Sequence, residues 1–331
     1  MHPSPDSQRS PSATVLIPNW NGEDFIVRCV SSALMAAREH RAATGEAVEI
    51  LVVDDASTDR SLDRLERDCP AARLIRREQN GGFAVAVNQG AREARGDALV
   101  LINSDMALPP DFLIHLLAPL ADPGVFAVTA KTVNWTDGEP NHVNMTARLV
   151  RGQITLEHSD PTGACDTLFL QGGAAAVRRD VFLAAGGFSP LYHPGYWEDY
   201  DLSLRAIQAG WRIVYEPRAL ARHLGKASLT ARHGSGALRR LTERNRLLFT
   251  WSLMSDARWR HWLGLPGWVA REIRRGGATR LRALLAALRM LPAVASQRRG
   301  FPPPRALGDR EALARTRPPA GTAVHTVPGE D

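Results

Sequence analysis

The sequence predicts an α/β fold, with a mainly parallel sheet covered by helices on both faces, on three observations. Short apolar runs of strand length alternate with longer stretches of helical spacing from Thr14 to Tyr215. The central run, Ala98 to Ile102, is apolar at five consecutive positions, as expected of a strand buried on both faces. Three runs end in Asn or Asp, at Asn19, Asp54-Asp55 and Asn103-Ser104-Asp105. Polar groups thus sit at the carboxyl ends of strands, where ligands gather in open α/β sheets.

Each element follows in order. Thr14 to Ile17 is the first strand, closed by Pro18 and opening into Asn19-Trp20-Asn21-Gly22. Glu23 and Asp24 favour the start of a helix running to about Glu39, because acidic groups stabilise the positive end of a helix. Glu49 to Val53 is the second strand, and a short one lies near Arg73 to Arg76. A helix from about Phe83 to Arg95 leads to the Ala98 strand. Pro109-Pro110-Asp111 introduces another helix, and Val125 to Thr129 another strand. Lys131 to Asp166 has no strong period and reads as irregular strands and loops that shape a second pocket. Gly172-Gly173 precedes an apolar run to Val177, and a short helix follows Arg178-Arg179. Tyr196-Trp197-Glu198-Asp199-Tyr200-Asp201 opens a helix that stops at Gly210. Trp211 to Tyr215 is the last strand, with His223 shortly beyond it.

Composition narrows the class. At 331 residues, 44% hydrophobic and 23% charged, the chain suits a globular protein of one large or two modest domains. Cys29, Cys69 and Cys165 are odd in number and far apart, which argues against a disulfide framework and fits a reducing cytoplasm. Residues 1–12 are rich in Ser and Pro, read as disordered and resemble no signal peptide. No run approaches the roughly eighteen apolar residues that span a bilayer. The formal charge of +6 is uneven: Arg222 to Arg299 carries 17 Lys and Arg against 3 Asp and Glu, a local +14 that leaves −8 elsewhere. Such asymmetry points to an anionic partner for the C-terminal part. No Gly-x-Gly-x-x-Gly follows the first strand and no Gly-x-x-x-x-Gly-Lys-Ser/Thr occurs, which disfavours a nicotinamide dehydrogenase or a P-loop phosphotransferase.

The polar strand ends carry the chemistry. Asp105, where a buried strand surfaces, can hold a hard cation and through it a diphosphate; a turn satisfied by its own backbone is the alternative. Asp55 can accept a hydrogen bond from a nucleobase N–H or serve as a helix cap, a role that suits Asp54 and Asp59 better. The Asn80-Gly81-Gly82-Phe83 loop precedes a helix, so its N–H groups can face an anion, or its glycines can merely permit a bend. Glu198-Asp199 opens a helix, where carboxylates are common as dipole partners.

Taken together, these pieces resemble family 2 glycosyltransferases with the GT-A fold, in the branch of rhamnosyltransferase-like enzymes. The matching motifs are Ile17-Pro18-Asn19-Trp20-Asn21, Val52-Val53-Asp54-Asp55-Ala56-Ser57-Thr58-Asp59 and Asn80-Gly81-Gly82-Phe83-Ala84. They continue with Asn88-Gln89-Gly90, Asn103-Ser104-Asp105, Trp197-Glu198-Asp199-Tyr200-Asp201-Leu202, and His223 ahead of Ser228. The resemblance implies a nucleotide-sugar site at Pro18, Asn19, Asn21, Asp54 and Asp55. It extends that site to Asn80, Gly81 and Asn88, and to Asn103, Ser104 and Asp105. It implies a divalent cation, Mn2+ or Mg2+, on Asp105 and His223. Asn103 replaces the usual first Asp of the metal motif, leaving one charged ligand. It makes Asp199 the general base and Glu198 its support or an acceptor contact, with Asp201 structural, and places Gly172, Gly173 and Trp197 toward the acceptor, packing being the alternative for Trp197. The implied reaction is inverting transfer of a sugar, hexosyl or rhamnosyl, from a nucleoside diphosphate to a hydroxyl of a glycan or lipid-linked acceptor in cell-surface polysaccharide synthesis. A catalytically silent sugar-nucleotide-binding or scaffold protein on the same fold is the alternative. A processive synthase is disfavoured by the missing Gln-x-x-Arg-Trp motif.

The glycosyltransferase domain is expected over 13–230 and a basic helical extension over 231–299, with a disordered tail, rich in Pro, Gly and charge, over 300–331. Arg244-Asn245-Arg246 is familiar in the branch. Trp251, Trp259, Trp262 and Trp268 cluster, and Leu281, Leu284, Leu285, Leu288 and Leu291 share a helical face beside arginines. Such helices can dock on the catalytic domain or lie in an anionic membrane surface, on its cytoplasmic side. No nucleic-acid-binding module is recognisable.

Overall fold

The computed structural model describes residues 12–150, 153–224, 229–254, 258–275, 277–300 and 306–327. The N-terminal segment, save Ser12, and Lys226 and Ser228 lie outside these residues. The first half alternates as expected: β1 (Ala13–Asn19), α1 (Ile26–Thr44), β2 (Val48–Asp54), α2 (Ser61–Asp68), β3 (Arg73–Arg76), α3 (Phe83–Glu93) and β4 (Ala98–Ile102). These strands form a parallel unit in the order β4-β1-β2-β3. Period-two alternation explains its two-sided cover. Leu16, Leu51, Val53, Leu99 and Leu101 join one core with α3, while Val15, Ile17, Ile50, Val52, Val100 and Ile102 join another with α1. Each fully buried aliphatic side chain contributes about 1.5–3 kcal/mol, so the register of this sheet is strongly fixed.

The chain continues through β5 (Met106–Ala107), α4 (Phe112–Leu117) and β6 (Val125–Asn134) to β7 (Pro140–His142), β8 (Asn144–Val150), β9 (Gln153–Ser159) and β10 (Cys165–Asp166). It then forms β11 (Ala174–Arg178), α5 (Arg179–Ala184), α6 (Glu198–Gln208) and β12 (Arg212–His223). The main sheet has the order β10-β12-β6-β11-β4-β1-β2-β3, with β5 on β12 and β7 on β6. It is mixed rather than mainly parallel. β11 enters at the carboxyl end of β4, where Ala174 pairs with Ile102, and therefore runs antiparallel to both β4 and β6. Lys131 to Asp166 is more regular than its sequence suggests: β8 and β9 form a hairpin in register from Asn144↔Ser159 to Val150↔Gln153. The last strand is longer than expected because a register shift between Glu216 and Leu220 lets β12 resume its pairing with β6. His223 thus ends β12 instead of following it, opposite Met106 of β5.

Helices α7 (Leu229–Leu253), α8 (Arg258–Arg274), α9 (Ala278–Arg289) and α10 (Leu291–Gly300) form the C-terminal extension. They dock on the domain. Leu248, Phe249, Trp251, Trp268, Leu284, Ala287 and Val294 are buried in the same core as Leu99 and Phe188. The expected unstructured tail does not hold for residues 306–327. The carbonyl of Gln208 accepts from the Ala306 and Leu307 amides, and α11 (Asp309–Arg315) buries Ala312 and Leu313. β13 (His325–Thr326) then pairs with β9. Three spaced apolar residues, Leu307, Ala312 and Leu313, suffice to anchor a segment whose composition is otherwise polar.

Candidate active site

The carboxyl ends of β1, β2 and β4 meet the start of β11 and the end of β12, so five strand ends deliver polar residues to one edge. Asn103, Ser104 and Asp105 are half-buried in a turn closed by the bond from the Met106 amide to the Asn103 carbonyl. β5 then pairs with the end of β12, which sets His223 Nε2 3.1 Å from Asp105 Oδ2. The hydrogen bond to Asp105 raises the imidazole above its ordinary value. A carboxylate oxygen and an imidazole nitrogen suit a divalent cation whose other positions come from a bound diphosphate and water. Among the described residues no group of three or more His, Cys, Asp or Glu could do so alone.

Gly172 and Gly173 join this edge to the candidate base. The Asn103 amide donates to the Gly173 carbonyl (3.0 Å), and a Cβ on Gly173 would lie 2.4 Å from Asn103 Nδ2. Only glycine lets the Asn103 side chain lie against β11 there. The Asp199 carboxylate accepts from the Tyr200 amide at 2.9 Å, and the N–H groups of Asp199 itself and of Gly172 also favour its charged form. Burial pushes the half-buried Asp199 up to about 7, against the pull of those N–H groups. Glu198 beside it is raised well above the carboxylate range by burial and then by the Asp199 charge. One Glu198 oxygen is buried without any partner.

The predicted nucleoside residues also gather, but several are already occupied. Asp54 Oδ1 accepts from Asn19 Nδ2 (2.9 Å) and Ser57 Oγ (2.6 Å), and Oδ2 accepts from the Ser57 amide (3.0 Å). Asn21 Oδ1 accepts from the Thr58 amide at 2.8 Å, and Pro18 lies in β1 opposite Val53. Asp55 is buried. Its oxygens accept from Arg77 Nε (2.7 Å), the Gly81 amide (2.9 Å) and the Gly82 amide (2.7 Å), and Asn80 Nδ2 donates to its carbonyl (3.2 Å). It anchors the loop ahead of α3, so a nucleobase N–H would have to share it. Asn88 is spent on packing: Nδ2 donates to the Phe188 carbonyl (2.7 Å) and Oδ1 accepts from the Phe188 amide (2.9 Å). Its amide is therefore not turned to a donor sugar. Asn19 Oδ1 is buried without a partner.

For Trp197 the packing alternative holds. It is only 4% exposed, packed between Tyr200 and Phe249 at ring separations of 5.1 Å each, and offers no face to a sugar. Asp201 is structural, accepting from Arg205 Nε (2.7 Å), Tyr192 Oη (2.8 Å) and Gln297 Nε2 (2.9 Å). Sequence reasoning missed Arg77 and Trp135. Arg77 gave no signal, since Asp55 and Arg77 lie on separate loops. Exposed Trp135 donates its amide to the His223 carbonyl, with the guanidinium groups of Arg28 and Arg222 within 5.5 and 5.6 Å of its ring. It was hidden in a stretch without period.

Comparison with known proteins identifies the family. Residues 14–184 match the family model for glycosyl transferase family 2. The chain is 29% identical over 231 residues to a pre-mycofactocin glycosyltransferase of Mycobacterium tuberculosis, covering 67% of this chain and 45% of the relative. It is 33% identical over 221 residues to the succinoglycan biosynthesis protein ExoO of Rhizobium meliloti, covering 65% and 61%. An N-acetylglucosaminyl-diphospho-decaprenol L-rhamnosyltransferase of Mycobacterium tuberculosis is 30% identical, covering 57% and 70%. The chain spans about half the length of the pre-mycofactocin relative. In fold it is similar to a mannosyltransferase of Pyrobaculum calidifontis solved with GDP-Man and Mn2+, with a TM-score of 0.53, 18% identity, and 95% and 88% of the two chains covered. It is also similar to GalNAc-T7 solved with UDP, GalNAc and Mn2+, with a TM-score of 0.57, 16% identity, and 76% and 49% covered. With its Rossmann-like mixed sheet flanked by helices, the chain belongs to glycosyl transferase family 2.

Proposed function

We propose that this chain is an inverting glycosyltransferase. It moves a hexosyl or rhamnosyl group from a nucleoside-diphosphate sugar to a hydroxyl of a glycan or lipid-linked acceptor in cell-surface polysaccharide synthesis. One observation supports the reading: the Gly172 N–H favours the charged form of Asp199 while Gly173 packs on Asn103, two residues ahead of Asp105. The candidate base and the candidate cation ligand therefore flank the same glycine pair. Asp105 and His223 would hold a divalent cation, Mn2+ or Mg2+, which when bound screens the charge of the diphosphate. The Asn80-Gly81-Gly82 loop, held by Asp55, presents the start of α3 to the donor. Asp199 takes the proton of the acceptor hydroxyl as it attacks the anomeric carbon. Burial raises Glu198 well above its ordinary value and so favours Asp199 over it as the base. The relatives that act on decaprenol-linked glycans and in succinoglycan biosynthesis support such an acceptor.

Release of nucleoside diphosphate from a panel of nucleotide sugars, with Mn2+ or with EDTA, tests this. One donor is expected to turn over in Mn2+ alone. A donor that shifts the melting temperature without being consumed would favour the silent sugar-nucleotide-binding alternative, and no response to any donor would overturn both.

The proposed setting is the cytoplasmic face of an anionic membrane. No helix among the described residues is long and apolar enough to cross a bilayer. The solvent side of α8 instead exposes Trp262, Leu263 (72%) and Ile273 (62%) beside exposed Arg271, Arg274 and Arg275. Such a face lies in a lipid interface with its arginines toward anionic headgroups. Flotation with anionic liposomes is expected to weaken as salt rises, since surface charge is screened within ~8 Å at physiological ionic strength. Equal flotation with neutral liposomes would contradict it.

A further inference from the structure

The loop that delivers Asp199 is held in an unfavourable conformation. Tyr196 and Trp197, the two residues ahead of α6, both have left-handed backbones, with φ of 68° and 80°. Such a conformation is unfavourable for a residue with a β-carbon and persists only where its surroundings enforce it. Trp197 stands at the N-cap of α6 and makes no side-chain capping bond there.

The enforcement comes from α7. Asn245, fully buried, directs Nδ2 at the carbonyls of Tyr192 (3.0 Å), Gly195 (2.9 Å) and Tyr196 (2.8 Å). An amide nitrogen carries two hydrogens, so the three acceptors share them. Asn245 Oδ1 accepts from Arg244 Nε (2.9 Å), and Arg244 Nη2 donates to the His193 carbonyl (2.8 Å). Two adjacent side chains thus engage the carbonyls of residues 192, 193, 195 and 196. α7 does not need them in order to dock, because Leu247, Leu248, Phe249 and Trp251 already bury its apolar face. Their bonds are spent on the loop.

We infer that Arg244 and Asn245 are positioning residues for the Asp199 carboxyl, fixing the loop so that the first turn of α6 stands against Gly172. The inference rests on the proposed role of Asp199 as the base. With the clamp gone, the loop can relax and the carboxyl swings out of its half-buried site into water.

The test uses the full chain with carboxyl-13C-labelled aspartate, the Asp199 resonance being identified by its loss in Asp199→Asn. In the unmutated chain it should titrate near pH 7. In Arg244→Ala and, more strongly, Asn245→Ala, it should titrate at least half a pH unit lower. The kcat for donor consumption should fall at least tenfold while the donor KM stays within about twofold. Arg244→Ala leaves the buried amide and its three bonds in place, so it carries the test should Asn245→Ala not fold. Rescue by Arg244→Lys of part of the titration shift would support a tether to the His193 carbonyl. An unchanged Asp199 titration and kcat in Arg244→Ala would overturn the inference, as would a KM that rises in step with the fall in kcat. A wild-type chain that consumes no donor would sink the base assignment, and the titration alone would then decide whether the pair positions the carboxyl.

Discussion

Two sets of carboxylates stand at the functional edge, and they differ in how fully they are partnered. At the end of β2, Asp54 and Asp55 accept bonds from Asn19, Ser57, Arg77, Gly81 and Gly82. At the start of α6, Asp199 accepts from the Tyr200 amide and Glu198 keeps an oxygen with no donor. Burial then has opposite consequences. A carboxylate whose oxygens are filled by donors acts as scaffold, whereas burial with few donors drives Asp199 and Glu198 toward the protonated form. Asp105, with His223 beside it, lies between the two sets in how fully it is partnered. Similar residue types at one edge of one sheet are thereby sorted into frame and chemistry.

The largest effect expected from this contrast is at Asp199. Asp199→Asn keeps the shape and removes the basic oxygen, so turnover should fall about 10²–10⁴-fold. Donor affinity, measured by calorimetry with Mn2+ and a nucleoside diphosphate, should survive. Loss of donor binding instead would move Asp199 into the scaffold set. Asp55→Ala should show the reverse pattern. Removing one partner of a buried ion pair strands Arg77 and two loop amides, and should lower stability in urea by about 3 kcal/mol. A midpoint unchanged from wild type would show that Asp55 is not a scaffold residue.

Asp105→Ala should weaken nucleoside diphosphate binding about tenfold or more in Mn2+, by analogy with the loss that follows changes around metal ligands. In EDTA the two proteins should bind alike. Equal affinities with and without metal in the unmutated protein would remove the cation from the account. The smallest effect belongs to Glu198→Gln. Because burial raises the folded-state value of Glu198, the folded chain holds its proton more tightly than the unfolded one. Stability tied to that proton is present at low pH and is lost as pH rises above the ordinary carboxylate range. The amide has no such loss, so the variant should gain in melting temperature over wild type at pH 8 more than at pH 5. A gain independent of pH would indicate packing alone.

The frame of this protein was legible because it depends on local pattern. The Ala98 to Ile102 run, the strand ends at Asp54 and Asp105, and the stop at Gly210, whose φ is 98°, each follow from residues within one element. Even so, α1 runs on to Thr44, past the expected end near Glu39. What escaped depends on long-range partners. The pairing of β5 with β12 sets His223 against Asp105, a proximity that the resemblance implied but that neither segment announces by itself. Asp55 reads as a base contact or a helix cap, and Arg77 beside it makes it a loop anchor instead. Trp197 reads as a stacking platform or as packing, and the arrival of Phe249 from α7 makes it core. The polar composition after residue 300 concealed the few apolar contacts of α11.

The central claim is that under-partnered burial makes Asp199 the base, and the pH dependence of kcat/KM tests it most directly. A base must be unprotonated to act, so the rate should be low below pH 7 and rise to a plateau above it, with the acid limb centred near the value of about 7 that burial imposes on Asp199. The limb belongs to Asp199 and should vanish from the residual activity of Asp199→Asn. An acid limb that persists unchanged in that variant, or one centred in the ordinary carboxylate range in wild type, would contradict the account.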